Sequence, residues 1–535
     1  MSFVTNDTTI QQLSFTDSFH FLTKREQRML EKSWAKYFAD EIFSKIDEKP
    51  YAVLYSQKDS RPNTPVNVQI GALIIKEFTG QSDDEIFESL LFDVRYQYAL
   101  HTTSMDEQPM SDRTLGRFRQ RCATYGEETG IDLLHDTITS LSGEMAALMQ
   151  VNHSLKRMDS SMVASNIKKM SRLELLYTCV ANLVKTAQKR EMKIPAELSH
   201  YLKKEDMNEV IYHSRSEDTL SRIEKVLEEA KAVKDLCNGI FDDVSEYQLL
   251  IRVLREHAAV DEEGNYHLKE KNDKSLNASI LQNPADPEAT YREKAGKQNR
   301  GYVANITEEC GKNGSIITDY QYEQNIHSDS RFMEETPEAM GEQETPVTIV
   351  TDGVYSGERN ESSAMEKNIT LVTTNLTGRE TPDIYADFEF SEDGHRITRC
   401  PGGYTPKGNS YNQNNGQVVA SFERFQCEEC PYKSACKPKM NKKTCRKTLS
   451  VRSKERAIKQ RLRKTEEFKK LASFRNGVET VPSVLRRKYG LDHMPVRGKI
   501  RPRFLLGCKI GALNFKKLCK YLQSLDKCAL EITPA

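Results

Sequence analysis

The sequence lacks any apolar stretch approaching the roughly 18 residues that a membrane span requires, which excludes an integral helical membrane protein. Its first residues, MSFVTNDTTIQQLSF, have no basic start followed by an apolar run and no Arg-rich amphipathic character. Neither a secretory signal nor a transit peptide is expected, and the chain should remain in the cytoplasm. There is no internal repeat and no extended low-complexity tract; GNSYNQNNGQ, 408–417, reads as a polar turn within a hairpin. Tryptophan is nearly absent, Trp34 being the only one, and net charge is absent, with 78 Lys and Arg against 78 Asp and Glu. Cysteine is not scarce. Twelve cysteines in a chain without an export signal argue against a disulfide framework and leave metal ligation or buried thiols.

The zero net charge conceals an uneven distribution. Residues 431–520 hold 28 Lys or Arg against 5 Asp or Glu, whereas 319–362 is rich in acids. A solvated helical face can be basic, but a run of this length is the electrostatic footprint of a chain that tracks phosphates, so a nucleic-acid partner is expected.

The length suits three or four domains. Residues 1–60 read as a leader and one helix over KREQRMLEKSWAKYFADEIFSKI. Residues 61–150 read as a helical module in which Pro65 suits a first turn, Ser82 with Glu85 is a capping box, and Ser111 or Asp112 caps the basic RTLGRFRQR stretch. That format is shared by helix-turn-helix DNA binders and by plain dimerisation modules; in the first case Arg113, Arg117 and Arg119 are the candidate DNA contacts. Strand signals follow in two blocks, 151–170 and 286–384, around a helical insertion, 171–285. They are LKRMDSSMVAS (155–165), the hairpin RGYVANITEE (300–309) with GSIITDYQYEQN (314–325), PVTIVTDGVYSG (346–357) and NITLVTTNL (368–376), with a helix over 331–343. Residues 385–447 are loop-rich with five cysteines. The remainder, 448–535, reads as a basic helix over 451–472, a helix over 476–488 and a terminal helix over 502–527. The strand–hairpin–helix–strand order is that of a mixed α/β sheet carrying insertions.

Three acids stand out by position. Asp159 lies inside a strand, where a buried carboxylate is costly unless it is paired or holds a metal. Asp352 ends the VTIVTD strand, and Glu479 sits among basic residues. Taken singly each has an ordinary alternative: a turn cap, a helix start, a surface ion pair. Together they suit Mg²⁺ or Mn²⁺, hard cations bound by few carboxylates plus water and phosphate oxygens.

At these residues the chain resembles the DDE transposases of bacterial insertion sequences, in the branch with a long insertion between the two aspartates. RMDSSMVASN carries Asp159 and TIVTDGVYSGE carries Asp352 in a D-G-x-Y segment. In RNGVETVPSVLRRKYG the family's Y-x2-R-x3-E-x6-K pattern is met by Arg475, Glu479 and, with Arg for Lys, Arg486. The tyrosine position holds Ala472. Residues 62–121 also resemble the N-terminal domain of these transposases through Pro65/Gln69, Gly80/Ser82/Asp83/Glu85 and Ser111/Arg113/Thr114/Leu115/Arg117/Phe118/Arg119.

The resemblance implies an RNase H-like mixed sheet with an all-α N-terminal domain, a helical insertion and a small Cys-rich module. It implies Asp159, Asp352 and Glu479 as catalytic metal ligands, and phosphate contacts from Arg475 and Arg486 with Arg487 and Lys488 beside them. The implied activity is cleavage at terminal inverted repeats and strand transfer into target DNA, by a homodimer on double-stranded DNA, cytoplasmic and nucleoid-associated. Because Trp34 lies outside the core, a Tyr or Phe would stack on any flipped base. A nuclease that cuts without joining, and a DNA-binding descendant without catalysis, are the competing readings.

Cys427-x2-Cys430-x5-Cys436-x8-Cys445, with Cys400 upstream, is close to a structural Zn²⁺ pattern in which either Cys400 or Cys445 completes the tetrahedron. The other seven cysteines lie in helical apolar patterns and read as packing residues.

Overall fold

The computed structural model describes all residues except 7–17, 59, 104–109, 213–217, 271, 295, 375–379 and 533–535, with backbone alone at 18 and 527–532. The expected single helix near the start is two, Lys24–Glu31 and Trp34–Glu41, because Ser33 accepts from the Ala35 amide and begins a new helix. The N-terminal module contains α1 (Val66–Thr79), α2 (Asp83–Phe92), α3 (Thr114–Thr129) and α4 (Leu133–Leu148), with a short helix, Val94–Ala99, after α2. Helix α1 is buried at every residue from Val66 to Ile75, as its nearly unbroken apolar text requires. Ser82 and Glu85 make the capping box of α2. The cap expected for α3 is not there: Arg113 holds the cap position without a side-chain bond, and the Ser111 amide donates to Thr114 Oγ1 at 3.1 Å.

The central sheet contains β1 (Asn152–Ala164), β2 (Lys297–Gly311), β3 (Gly314–Gln324), β4 (Val347–Thr351) and β5 (Ile369–Thr373). β2 lies antiparallel to β1 and to β3, whereas β4 runs parallel to β1 and β5 parallel to β4. A short strand, Thr290–Lys294, adds to the start of β2. The last residues of the NITLVTTNL text, Asn375 and Leu376, fall outside the described residues.

Between β1 and β2 the insertion folds on a core of its own from α5 (Arg172–Lys189), α6 (Thr219–Cys237) and α7 (Ser245–His257), with Leu176, Leu183, Leu227 and Leu250 fully buried. A small hairpin, Ala258–Val260 with Tyr266–Leu268, follows α7 where only helix and loop were expected. The two parallel crossovers use α8 (Asp329–Met340) and α9 (Glu358–Glu366). These cover one face of the sheet through Met158, Phe332, Met333, Ile349 and Ala364.

The Cys-rich module carries a four-stranded sheet of β6 (Gly408–Asn412), β7 (Gln417–Glu423), β8 (Lys439–Met440) and β9 (Thr444–Ser450), ordered β6-β7-β9-β8. The expected 451–472 helix is broken into α10 (Val451–Leu462) and α11 (Glu466–Asn476), because Thr465 accepts from the Phe468 amide and starts α11. After these come α12 (Thr480–Tyr489) and α13 (Ile500–Ile532).

Helix α13 changes the division of the chain. Residues 61–150 and 448–535 read as separate units, yet Phe515 of α13 packs edge-on against Phe38 and Phe78 with ring centroids 5.0 Å apart in each case. One continuous core takes in α1, α4, β3, α12 and α13. Asn514, fully buried, accepts from the Ile317 amide of β3 at 3.0 Å and donates to the Ile317 carbonyl at 2.7 Å and Ser142 Oγ at 2.9 Å. The terminal helix thus closes the second face of the sheet against the N-terminal module.

Candidate active site

Side chains alternate across a strand. On β1, Met158 points into the core beneath α8, whereas Val163 joins the large core, so Asp159 shares the face of Val163, toward the C-terminal helices. Asp352 lies one residue beyond β4. Its Oδ1 accepts from the Val354 amide at 3.0 Å, and Tyr355, fully buried, donates to Asn305 Oδ1 of β2 at 2.8 Å and fixes the turn. Because β1 and β4 are adjacent and parallel, with Arg157 opposite Val350, the two aspartates come to the same end of the sheet.

Glu479 is not on a helix as expected. It closes a short 3₁₀ turn, Gly477–Glu479, between α11 and α12. The group that joins it to the aspartates is Arg475, in the last turn of α11. Its Nη2 lies 3.1 Å from Asp159 Oδ1 and 3.9 Å from Asp352 Oδ2, and its Nη1 lies 2.7 Å from Glu479 Oε1. The Arg475 side chain is 10% exposed and that of Glu479 60%, so the arrangement runs from a buried floor to an open rim. Burial pushes the Asp159 carboxyl up to about 6, against the pull of Arg475 and with the push of Asp352. Among the described residues the buried Arg475 Nε–H has no partner, so the guanidinium is paired there on its carboxylate side.

Among the described residues no group of three or more His, Cys, Asp or Glu is spaced to hold a metal ion. The three carboxylates are nonetheless an all-oxygen donor set gathered around one positive charge, and that chemistry suits a hard divalent cation once Arg475 moves aside.

Three residues that sequence reasoning missed hold this arrangement up. Arg157, on β1, is paired with fully buried Glu308 at 2.7 Å and donates through Nη1 to the Phe474 carbonyl at 2.9 Å, which pins the end of α11 to the sheet. Lys517 of α13 takes the other Glu308 oxygen at 2.7 Å. An Arg two residues before the strand aspartate was the only available signal.

The expected DNA contacts divide. Arg487, Lys488, Arg113 and Arg117 are exposed. Arg486 is committed to the protein, with Nη2 2.7 Å from Ser161 Oγ and Nε 3.1 Å from Asp492 Oδ2. Arg119 is paired with Asp83, which Lys76 also holds at 2.8 Å; against burial, these two cations hold the Asp83 carboxyl down at about 2. Arg475, the expected phosphate contact, is turned into the carboxylates.

In the Cys-rich module Cys400, Cys427, Cys430 and Cys436 line one small cavity. Cys445 is buried beside it, with Sγ 3.1 Å from Met440 Sδ.

Comparison with known families is decisive at both ends of the chain. Residues 27–121 match the family described as "Transposase domain (DUF772)", and residues 399–519 match the family described as "Transposase DDE domain". The chain is a DNA transposase of the DDE type. The second match takes in the five cysteines of the Cys-rich module, Arg475 and Glu479; a domain of this type implies dependence on a divalent metal, and the partner of the transposase is DNA. No curated protein matches it. One solved structure, the cryo-EM structure of a piggyBac transposase synaptic complex with hairpin DNA, aligns over 91% of the transposase and 74% of that chain, at 10% identity and a TM-score of 0.26. That likeness is too slight to argue from. Among the described residues no helix is long and apolar enough to cross a membrane.

Proposed function

We propose that this transposase cleaves the terminal inverted repeats of an insertion sequence and transfers the freed strands into target DNA, using Asp159, Asp352 and Glu479 as its catalytic acids. The observation that carries the reading is the convergence of all three on Arg475. The sheet order, three antiparallel strands followed by two parallel ones with acids in the first strand and after the fourth, supports an RNase H-like core. Mg²⁺ or Mn²⁺ held by the three carboxylates would activate an attacking water or 3′-hydroxyl and stabilise the leaving oxygen of an in-line displacement.

The chain's own residues prepare for that chemistry. Asp159 and Asp352 are fixed by the sheet, whereas Glu479 sits on a turn at the rim and completes the donor set from a different element. Arg475 offsets part of the negative charge that the three carboxylates bring together, and it would be free to meet a phosphate if a metal ion took its place. Arg487 and Lys488, exposed on α12, and Arg113 and Arg117, on and just before α3, supply further cations for the DNA backbone. A homodimer would hold the two ends, and the cell's nucleoid is the setting. A structural Zn²⁺ in the Cys-rich module belongs to the same proposal.

The test is a cleavage and joining assay with Mg²⁺ on DNA carrying the element's own ends, comparing the wild type with Glu479→Gln and Asp159→Asn. Nicking and joining that both substitutions abolish is the expected result. Nicking without joining would replace the proposal by a nuclease, and binding without cleavage by an inactive descendant.

A further inference from the structure

The Cys-rich module has too little core for its size. Its fully or nearly fully buried apolar side chains are Phe388, Ile397, Val418, Ala420, Phe422 and Leu449. Below about 40 residues, and in loop-rich segments somewhat longer, a fold with so small a core generally needs a metal or a disulfide as a staple. Five cysteines stand at that place, all as free thiols.

We infer that Cys400, Cys427, Cys430 and Cys436 are the ligands of a structural Zn²⁺, that Cys445 is not, and that the Lys447 ammonium is the counterion of the resulting thiolate cluster. The inference deepens the zinc reading proposed above and is independent of the catalytic acids.

Three observations carry it. First, the four thiols line a single cavity of about 30 Å³, together with Gly402, Tyr404 and Lys447. That is the space of about one water molecule, hence of one ion. Cys445 adjoins Cys427 but is not among the lining residues; its thiol is turned to the Arg424 carbonyl and to Met440 Sδ.

Second, local geometry brings the four together. The Cys400 amide donates to the Tyr404 carbonyl at 3.0 Å, and the Gly403 amide to the Cys400 carbonyl at 2.8 Å, closing a tight turn over Cys-Pro-Gly-Gly-Tyr. A Cβ on Gly402 would stand 3.1 Å from Cys430 Sγ, tighter than an ordinary contact, so glycine eases the close approach of that turn. Two short helical turns, Arg424–Glu428 and Lys433–Cys436, carry Cys427 and Cys436, and Cys430 lies on the link between them; the Cys436 amide donates to the Tyr432 carbonyl at 2.8 Å.

Third, Lys447 is 5% exposed, and no carboxylate among the described residues pairs with it. Its Nζ instead reaches Tyr385 OH at 2.8 Å and the Cys436 carbonyl, at the edge of the thiol cavity. A buried ammonium without an anion is costly. Four thiolates around Zn²⁺ carry a net charge of −2, which supplies the missing anion.

As placed, the thiols are not yet at ligand spacing. Binding therefore asks the four side chains to turn inward: each S–H gives its proton to solvent, and four Zn–S bonds form.

The full-length protein, purified without chelator from zinc-supplemented culture, is assayed for zinc per chain by atomic emission, and its Cd²⁺-exchanged form for the thiolate charge-transfer band of four sulfurs. One zinc per chain and a four-sulfur band are expected. Cys400→Ser should weaken zinc retention against a chelator tenfold or more, and Lys447→Met should weaken it while leaving all ligands in place. Cys445→Ser should retain it. If Cys445→Ser fails to fold by circular dichroism, the Cys400→Ser and cadmium measurements decide. A wild type without zinc, a disulfide between these cysteines, or zinc kept in Cys400→Ser overturns the inference. None of these readouts involves DNA, so failure of the transposition assay leaves them unaffected.

Discussion

A guanidinium among three carboxylates is a charge arrangement with a cost on each side. Removing Arg475 leaves Asp159 and Asp352, both less than about a quarter exposed, facing one another with Lys294, a more distant cation, still acting on Asp159. Breaking such a pair typically costs about 3–5 kcal/mol. Arg475→Ala is therefore expected to lower the thermal midpoint of the metal-free protein, and Mn²⁺ should raise it again by more than it raises that of the wild type, since the ion takes up the charge that was removed. Equal Mn²⁺ responses in the two proteins, read by differential scanning fluorimetry, would mean that Arg475 does not stand where the metal binds.

Glu308 poses the converse case, one fully buried carboxylate shared by Arg157 and Lys517. Burial raises its carboxyl, but Lys517 and Arg157 outweigh burial and hold it below the usual 4.5. A depressed folded pKa contributes stability that is fully present above 4.5 and lost as the pH falls through the lower folded value. Glu308→Gln should cost about 3–5 kcal/mol at pH 7 and should flatten the acid limb of the stability profile. Urea melts of both proteins at pH 7 and pH 3.5 check this; parallel losses in the two would remove Glu308 from the acid response.

At the scale of elements, the junction between α11 and α12 decides where Glu479 points. Gly477 has φ −62°, which any residue adopts, so its role is spatial. A Cβ there would lie 2.0 Å from Arg157 Nη1, and Arg157 is held by Glu308 and the Phe474 carbonyl and cannot simply swing away. Gly477→Ala should cost about 1–3 kcal/mol through overpacking and displace the turn bearing Glu479. In an Arg157→Ala background the same substitution should cost little, because the clash is gone; a full cost in both backgrounds, measured as a double-mutant cycle, would refute the steric account.

This junction also marks where the sequence was hard to read. The strand preceding Asp352 announces itself through five consecutive β-branched residues, Val347 to Thr351, whereas the strand bearing Asp159 has Val163 alone. Nothing in Gly-Val-Glu-Thr separates a 3₁₀ turn from a continuing helix. The break at Thr465 was legible, since a Thr followed by Glu466 and Glu467 is an N-terminal helix signal, but it is masked by the basic text on both sides.

At the scale of the molecule, the basic excess of 431–520 is partly spent inside the fold. Lys499 pairs with Glu323, Arg503 with Asp132, Lys509 with Glu77, Arg452 with Glu358 and Lys459 with Glu361. Three of these acids come from the acid-rich 319–362 stretch, so the two charge runs of the sequence are in part complements of one another. No local pattern foretells such pairing, nor the packing of α13 on α1, because both join residues 94 or more positions apart.

These long-range contacts make the N-terminal module, the sheet and α13 one core, and leave the insertion with another. Phe515→Ala removes a ring wedged between Phe38 and Phe78 and should cost about 3–5 kcal/mol, lowering the stability of that whole body. Leu227→Ala, in the insertion, should cost about 2–5 kcal/mol and act on the insertion alone. Native-state hydrogen exchange separates the two: faster exchange in α1, β3 and α13 together for Phe515→Ala, and in α5 to α7 for Leu227→Ala. Exchange that quickens everywhere in both variants would make the molecule a single cooperative unit and the insertion an integral part of the catalytic body.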